Sequence, residues 1–256
     1  MKTQDSPTIA IIGSGRVASA LGSHFKKHGI KITGVHSRNI KTGSKLAEET
    51  GSSFFEKISD LKADVVLVSV NDDQTVNVID KIHPDQSVIY TAGSVEIKSI
   101  KNKIRGVFYP LQTFGIHNEF ENINFPILLE ADSLELQKQM IAICDLCNLK
   151  HTFCDSEKRK EYHLVAVMLN NFVNHIVHLS QEEAEKRALD WTLLSPLLKK
   201  TFSLLIDQKA KKMQTGPARR NDQGILKKHE EMLEKQKKEI YQVLSASILN
   251  TYKDEL

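Results

Sequence analysis

Short apolar runs rich in β-branched residues recur along the first half of the chain, separated by polar stretches of helical character. This is the pattern of parallel strands joined by crossover helices, since strands covered on both faces show continuous apolar runs instead of alternation. Strands are predicted at about residues 8–12, 31–37, 63–70, 87–91, 106–109 and 126–130, with a weaker one at 150–153; Val65-Val66-Leu67-Val68 is typical. After Asp155 the strand signals stop and long helical periodicity begins. Residues 1–154 are therefore expected to form a mainly parallel, doubly wound α/β domain, and residues 155–256 an all-α domain.

In the second half, helices are predicted over about 156–188, 193–213 and 223–250, with Ser195-Pro196 in the first turn of the second. Thr215-Gly216-Pro217 separates the last two, and Glu231/Lys235 and Glu234/Lys238 are spaced for i,i+4 ion pairs on the third. A helix spanning 156–188 would be roughly 50 Å long. That exceeds what a small monomeric domain can cover, so the helical half is expected to build a homodimer.

The phosphate-binding signal lies between the first strand and its helix, where Gly13-Ser14-Gly15-Arg16-Val17-Ala18 reads G-x-G-x-x-A. Gly13 permits the tight turn, Gly15 lets the backbone approach a pyrophosphate, and Ala18 lets the helix pack close to the sheet, the fingerprint of a Rossmann dinucleotide site. The helix N-terminus adds free N–H groups and the positive dipole end. An NAD site places Asp or Glu about 20 residues further on. This chain instead has His36-Ser37-Arg38, with Lys41 and Thr42 nearby, and Arg38 can fork onto a 2′-phosphate. NADP is the expected cofactor, held by the Gly13–Ala18 turn, Ser37 and Arg38, and by Val70, Asn71, Asp72 and Gly93 at later strand ends. Asn71 and Asp72 read equally well as a turn or helix cap.

Composition narrows the picture little. Charged residues are 26% and apolar ones 40%, and 35 basic against 32 acidic residues leave a net charge of +3, too little to indicate nucleic acid as a partner. Three clustered cysteines, Cys144, Cys147 and Cys154, indicate a reducing compartment. The N-terminal apolar run is too short for a signal or membrane segment, so a cytoplasmic protein with no membrane partner is expected. The terminal Lys253-Asp254-Glu255-Leu256 spells a retention address that matters only after secretory entry, and reads as a charged helix end. No metal is expected: Cys144-x-x-Cys147 with His151 and Cys154 lacks zinc-pair spacing, and the two i,i+3 cysteines sit in an apolar helix.

Several stretches together carry a family resemblance over nearly the whole chain: Gly13 to Ala18, Val68 to Asp72, Ala92-Gly93-Ser94-Val95, Tyr109 to Phe114, His163 to Asn174, and Thr215 to Arg219 with Asp222. The sequence resembles NADP-dependent oxidoreductases in which a Rossmann-like domain precedes a helical domain of unknown function. These are similar to pyrroline-5-carboxylate reductases, prephenate dehydrogenases and the wider 6-phosphogluconate dehydrogenase superfamily. The resemblance implies a reductase or dehydrogenase fold with a helical dimerisation domain, and brings no substrate. Where the prephenate dehydrogenase pattern has His-Pro, this chain has Tyr109-Pro110, which puts in doubt any role needing imidazole at that position.

Hydride chemistry needs a proton source and polarisation of the reacting double bond. Ser94 and Tyr109 should emerge at the carboxyl ends of strands, where open α/β sheets bind ligands. At 100° per residue, His163, Asn170 and Asn174 fall on one helical stripe among apolar neighbours, where they would need partners if buried. His163 is the expected general acid, Asn170 or Asn174 the orienting amide, and Arg219 an anchor for a substrate carboxylate or phosphate, with the site between the two halves. The expected function is NADP-dependent oxidation or reduction of a small polar molecule, such as one bearing a carboxylate. The alternatives are a non-catalytic NADP-binding sensor or scaffold and a deazaflavin–NADP oxidoreductase.

Overall fold

Alternate residues of the central strands go to opposite faces of one sheet: Ile9 and Ile11 join one buried cluster, and Ala10 and Ile12 the other. The computed structural model that shows this describes residues 6–115, 125–207 and 209–255. Met1–Asp5 and Leu256, to which the expectations about the N-terminal segment and the terminal tetrapeptide extend, lie outside the described residues. The chain divides into two compact units, one ending at Asn171 and the other beginning at Phe172.

The first unit runs β1 (Ile9–Ile12), α1 (Arg16–Lys27), β2 (Ile32–His36), α2 (Ile40–Thr50), β3 (Ser53–Phe54), β4 (Val65–Val68), α3 (Asp72–Ile79), β5 (Val88–Tyr90), β6 (Arg105–Pro110), β7 (Ile127–Ala131), α4 (Leu134–Leu146), β8 (His151–Phe153) and α5 (Ser156–Ala166). The sheet order is β3-β2-β1-β4-β5-β6-β7-β8, parallel except between β6 and β7. All seven predicted strands are present; the short β3 is additional. Leu21 and Phe25 of α1, Leu46 of α2, and Leu136 and Met140 of α4 cover one face, and Ile79 of α3 lies on the other. The order reverses at β1, with β2 on one side and β4 on the other, the position where such sheets open a ligand crevice.

The second unit contains α6 (Val173–Lys186), α7 (Trp191–Asp207), α8 (Ala210–Met213), α9 (Gln223–Glu231) and α10 (Lys235–Tyr252). Lys237 of α10 pairs with Glu182 and Glu183 of α6 at 3.1 and 2.9 Å, and Glu234 with Lys186 at 2.5 Å. Each predicted helix is interrupted. A π-helical segment at Val167–Phe172 separates α5 from α6. Pro196 is the sixth residue of α7, beyond the first turn where it was expected. The third helix breaks at 232–234, where the Met232 carbonyl accepts from Arg187 Nη2 at 2.5 Å. The expected Glu231/Lys235 pair is therefore split between two helices, and Glu234 is the N-cap of α10, where its carbonyl accepts the Lys238 N–H at 2.8 Å and its carboxylate pairs with Lys186. Lys238 instead faces Glu230 at 3.8 Å.

Candidate functional site

The turn after β1 is built for close approach. Gly13 has φ +116°, and a Cβ there would lie 2.0 Å from the Ser69 carbonyl oxygen, so no other residue fits without moving the β4 end. Gly15 is the N-cap of α1, has no side chain to cap the helix, and would have nothing within 4 Å of an added Cβ. The first N–H groups of α1 thus face open space at the positive end of the helix. Ala18 is fully buried under the sheet, and Val17 packs at the edge of the same cluster.

Beside this turn, the Ser14 hydroxyl lies 2.7 Å from both Ser37 Oγ and Thr42 Oγ1. Asn39 caps α2 by accepting from the Thr42 N–H at 3.1 Å. Gly43 lets α2 sit against Ser37 and Phe54. His36 is turned away, its Nδ1 donating to the Phe55 carbonyl at 2.9 Å. Arg16 and Arg38 are exposed and form no ion pair or hydrogen bond among the described residues, leaving both guanidinium groups available to an anion. Uncapped helix donors, an empty approach over Gly15, three clustered hydroxyls and two uncommitted arginines fit a dinucleotide phosphate. The absence of a carboxylate at the end of β2 fits the 2′-phosphorylated form.

At the ends of β4 and β5, Asn71 is the N-cap of α3 with no side-chain cap, and Val70 lies beside Gly13. Asp72 is committed to Ser94, accepting from its N–H at 3.1 Å and its hydroxyl at 2.5 Å. Next to this loop, Tyr109 Oη of β6 lies 3.0 Å from His163 Nδ1 of α5, with the rings edge to face at 5.9 Å between centroids. Both side chains are half-buried. Burial first, and then the Asp72 carboxylate, pushes the Tyr109 phenol above its ordinary range, so it stays protonated near neutrality. Gly93 makes the meeting possible, because a Cβ there would come within 3.0 Å of the Tyr109 ring and 3.1 Å of His163 Nδ1. An imidazole from α5 thus stands beside the residue that precedes Pro110.

Sequence reasoning missed the group that holds α5 in place. Arg159, one helical turn before His163, is completely buried. Its Nη1 binds Glu130 of β7, Nη2 donates to the Val95 carbonyl at 2.5 Å and to Ser156 Oγ at 3.2 Å, and Nε donates to the Gly93 carbonyl at 3.2 Å. Ser156 Oγ also donates to Glu130 Oε2 at 2.8 Å and accepts from the Ile97 N–H at 3.1 Å. One ion pair thus ties β7, α5 and the loop at 93–97 together. Arg159 sits in Ser156-Glu157-Lys158-Arg159-Lys160-Glu161, which reads as a solvated face. The available signal was Glu130, a lone carboxylate closing the apolar run Ile127-Leu128-Leu129, which needs a buried partner.

Asn170 lies in the π-helical segment and is exposed, its amide 3.4 Å from Asn171 Oδ1. Asn174, in the second unit, is also exposed. The expectation that burial obliges these amides to find partners does not hold. A π turn also breaks the 100° phase on which their alignment with His163 rested. Arg219, in the second unit, pairs with Glu255 at 2.8 Å and lies over the Tyr252 ring at 4.4 Å. Asp222 caps α9 by accepting from the Ile225 N–H at 3.2 Å.

Comparison with known proteins adds two matches along the chain. Residues 8–93 match the family described as NADP oxidoreductase, coenzyme F420-dependent, and residues 125–248 match the domain of unknown function DUF2520. No curated protein matches. Among solved structures, the chain is similar to the candidate NADP oxidoreductase BF3122 from Bacteroides fragilis, at 28% identity over 96% of this chain and 98% of that one, with a TM-score of 0.86. Protein TM1727 from Thermotoga maritima shares 21% identity over 97% and 99%, with a TM-score of 0.68. Plasmodium falciparum pyrroline carboxylate reductase with NADP bound shares 12% over 98% and 99%, with a TM-score of 0.62. The last two, under 25% identical, show a common fold. The chain therefore combines a Rossmann-type α/β region that matches an NADP oxidoreductase family with a region that matches DUF2520.

Proposed function

We propose that the protein reduces a C=O or C=N bond in a small polar molecule at the expense of NADPH, with Tyr109 and His163 managing the proton. The observation that carries this reading is the 3.0 Å contact between Tyr109 Oη and His163 Nδ1 at the carboxyl-end side of a sheet with a dinucleotide turn. NADPH, when bound, supplies a hydride from its nicotinamide. The chain must supply the proton and hold the acceptor.

With Tyr109 kept as a phenol, its oxygen accepts from the His163 Nδ1–H both when the imidazole is charged and in the neutral ring left when the Nε2 proton is given up. One hydrogen bond thus keeps the ring in place before and after a proton leaves Nε2, which has no partner among the described residues. Asp72, held by Ser94, keeps a carboxylate near the phenol and opposes its ionisation. Gly13 to Ala18, with Ser37 and Arg38, would hold the phosphates, and Val70, Asn71 and Gly93 would line the nicotinamide side. Asn170, Asn174 and Arg219 remain proposed substrate contacts; Arg219 would have to exchange Glu255 for a substrate anion. Likeness to a pyrroline carboxylate reductase supports C=N compounds as the first substrates to try.

Free thiols at Cys144, Cys147 and Cys154 support a reducing, cytoplasmic setting. Among the described residues no helix is long and apolar enough to cross a membrane. Large exposed apolar side chains on the helical unit support a homodimer. A second reading, in which the redox partner is coenzyme F420, draws on the description of the family matching residues 8–93. Following NADPH oxidation with cyclic imines, 2-oxo acids and oxidised F420 in parallel separates the two. Turnover with an imine or carbonyl supports the first reading, turnover with F420 alone the second, and binding without turnover of any of them the sensor alternative.

A further inference from the structure

Two helices of the first unit end at the same place, away from the cofactor turn. His28 is the C-cap of α1 and Cys147 the C-cap of α4, and His24 lies one turn before His28. One ring nitrogen of each histidine and the Cys147 sulfur lie within 4.8 Å of one another. We infer that His24, His28 and Cys147 form a metal site for a borderline-soft divalent cation of the Zn²⁺ class.

Three features support the assignment. Histidines at i,i+4 project from one helix face, the spacing that lets two imidazoles share an ion. Each imidazole spends a nitrogen on a backbone carbonyl: His24 Nε2 donates to the Cys147 carbonyl at 3.0 Å, and His28 Nδ1 to the His24 carbonyl at 2.9 Å. That fixes the neutral tautomers and leaves one lone pair on each ring, the support that ligating histidines ordinarily receive. Finally, two helix C-termini converge there, and both direct their negative ends at a cation.

Tetrahedral ligands at Zn–N of about 2.0–2.1 Å and Zn–S of about 2.3 Å lie roughly 3.3–3.7 Å apart, so the three ligand atoms, within 4.8 Å of one another here, draw together on binding. Three protein ligands leave a fourth position for water. Metal binding releases the Cys147 thiol proton to solvent, so affinity for the ion rises with pH. The sequence sets Cys147 beside Cys144, His151 and Cys154, not beside His24 and His28. The sites differ because α1 and α4 are more than 100 residues apart in the chain and meet only in the fold.

The test uses the whole 256-residue chain, freed of metal by chelation and dialysed. Zn²⁺ is titrated against a chromophoric chelator, and Co²⁺ is added separately as a spectroscopic probe. The expected result is one tightly bound Zn²⁺ per chain and a thiolate-to-Co²⁺ charge-transfer band. His28→Ala should weaken Zn²⁺ binding by at least about 100-fold, and Cys147→Ser should abolish the band, while NADPH binding by both variants reports an intact fold. Absence of the band in the unmodified protein, or its persistence in Cys147→Ser, would overturn the assignment whatever the variants' stability. So would Zn²⁺ affinity unchanged in His28→Ala.

Discussion

Tyr109 and His163 touch because residue 93 is a glycine: Tyr109 Oη and His163 Nδ1 are 3.0 Å apart, and a Cβ at Gly93 would come within 3.1 Å of that nitrogen. Gly93→Ala should therefore disturb the pair while leaving the sheet folded, since the crowding atoms are side chains and not backbone. In the unmodified protein, spectrophotometric titration should show Tyr109, along with the buried Tyr90, ionising above the ordinary range, for Tyr109 because burial and Asp72 disfavour the phenolate. Asp72→Asn should lower that titration. A Tyr109 phenol that titrates normally in the unmodified protein would remove the basis for its role as a permanent hydrogen-bond partner.

Arg159 should be the largest single contributor to stability in the loop–helix junction. Removing one partner of a buried ion pair leaves an uncompensated charge and typically costs about 3–5 kcal/mol. Arg159→Met should lose roughly that amount in urea denaturation, whereas Arg159→Met with Glu130→Met should regain much of it. A double variant as unstable as the single one would show that the contacts to the Gly93 and Val95 carbonyls outweigh the charge pair.

Arg38 is exposed and uncommitted beside Ser37. Arg38→Ala should raise the Kd for NADPH by about 10-fold or more, the loss of one charge-assisted contact of about 1.5–3 kcal/mol, and leave NADH binding nearly unchanged. Isothermal titration of both nucleotides checks this. Equal losses for the two would assign Arg38 to the shared phosphates instead of the 2′ position.

Leu193, Leu197 and Ile206 of α7 are 77%, 67% and 82% exposed, too much for a helix that meets only water. Light scattering should give the mass of a dimer at micromolar concentration, and Leu193→Glu with Ile206→Glu should shift it towards the monomer. A monomeric mass for the unmodified chain contradicts the proposed assembly.

The α/β half was legible because continuous apolar strands and a glycine turn are local signals, and Val65–Val68 could hardly be anything but a buried strand. The helical half was legible only in outline, because its helix ends depend on contacts distant in sequence, such as Arg187 with the Met232 carbonyl. Tyr109 and His163 could each be nominated, but not paired, since they are 54 residues apart. Arg159 was hidden among charged neighbours that do face solvent, and only packing distinguishes it from Lys158 and Lys160.

The most direct measurement compares His163→Ala with the unmodified enzyme in steady-state NADPH oxidation, using whichever C=O or C=N compound the unmodified enzyme turns over. General acid catalysis typically contributes 10²–10⁴-fold, so kcat should fall by about 100-fold or more. The Kd for NADPH should stay within about twofold, because His163 lies outside the phosphate-binding turn. Unchanged turnover in His163→Ala would contradict the assignment of the proton to the Tyr109–His163 pair.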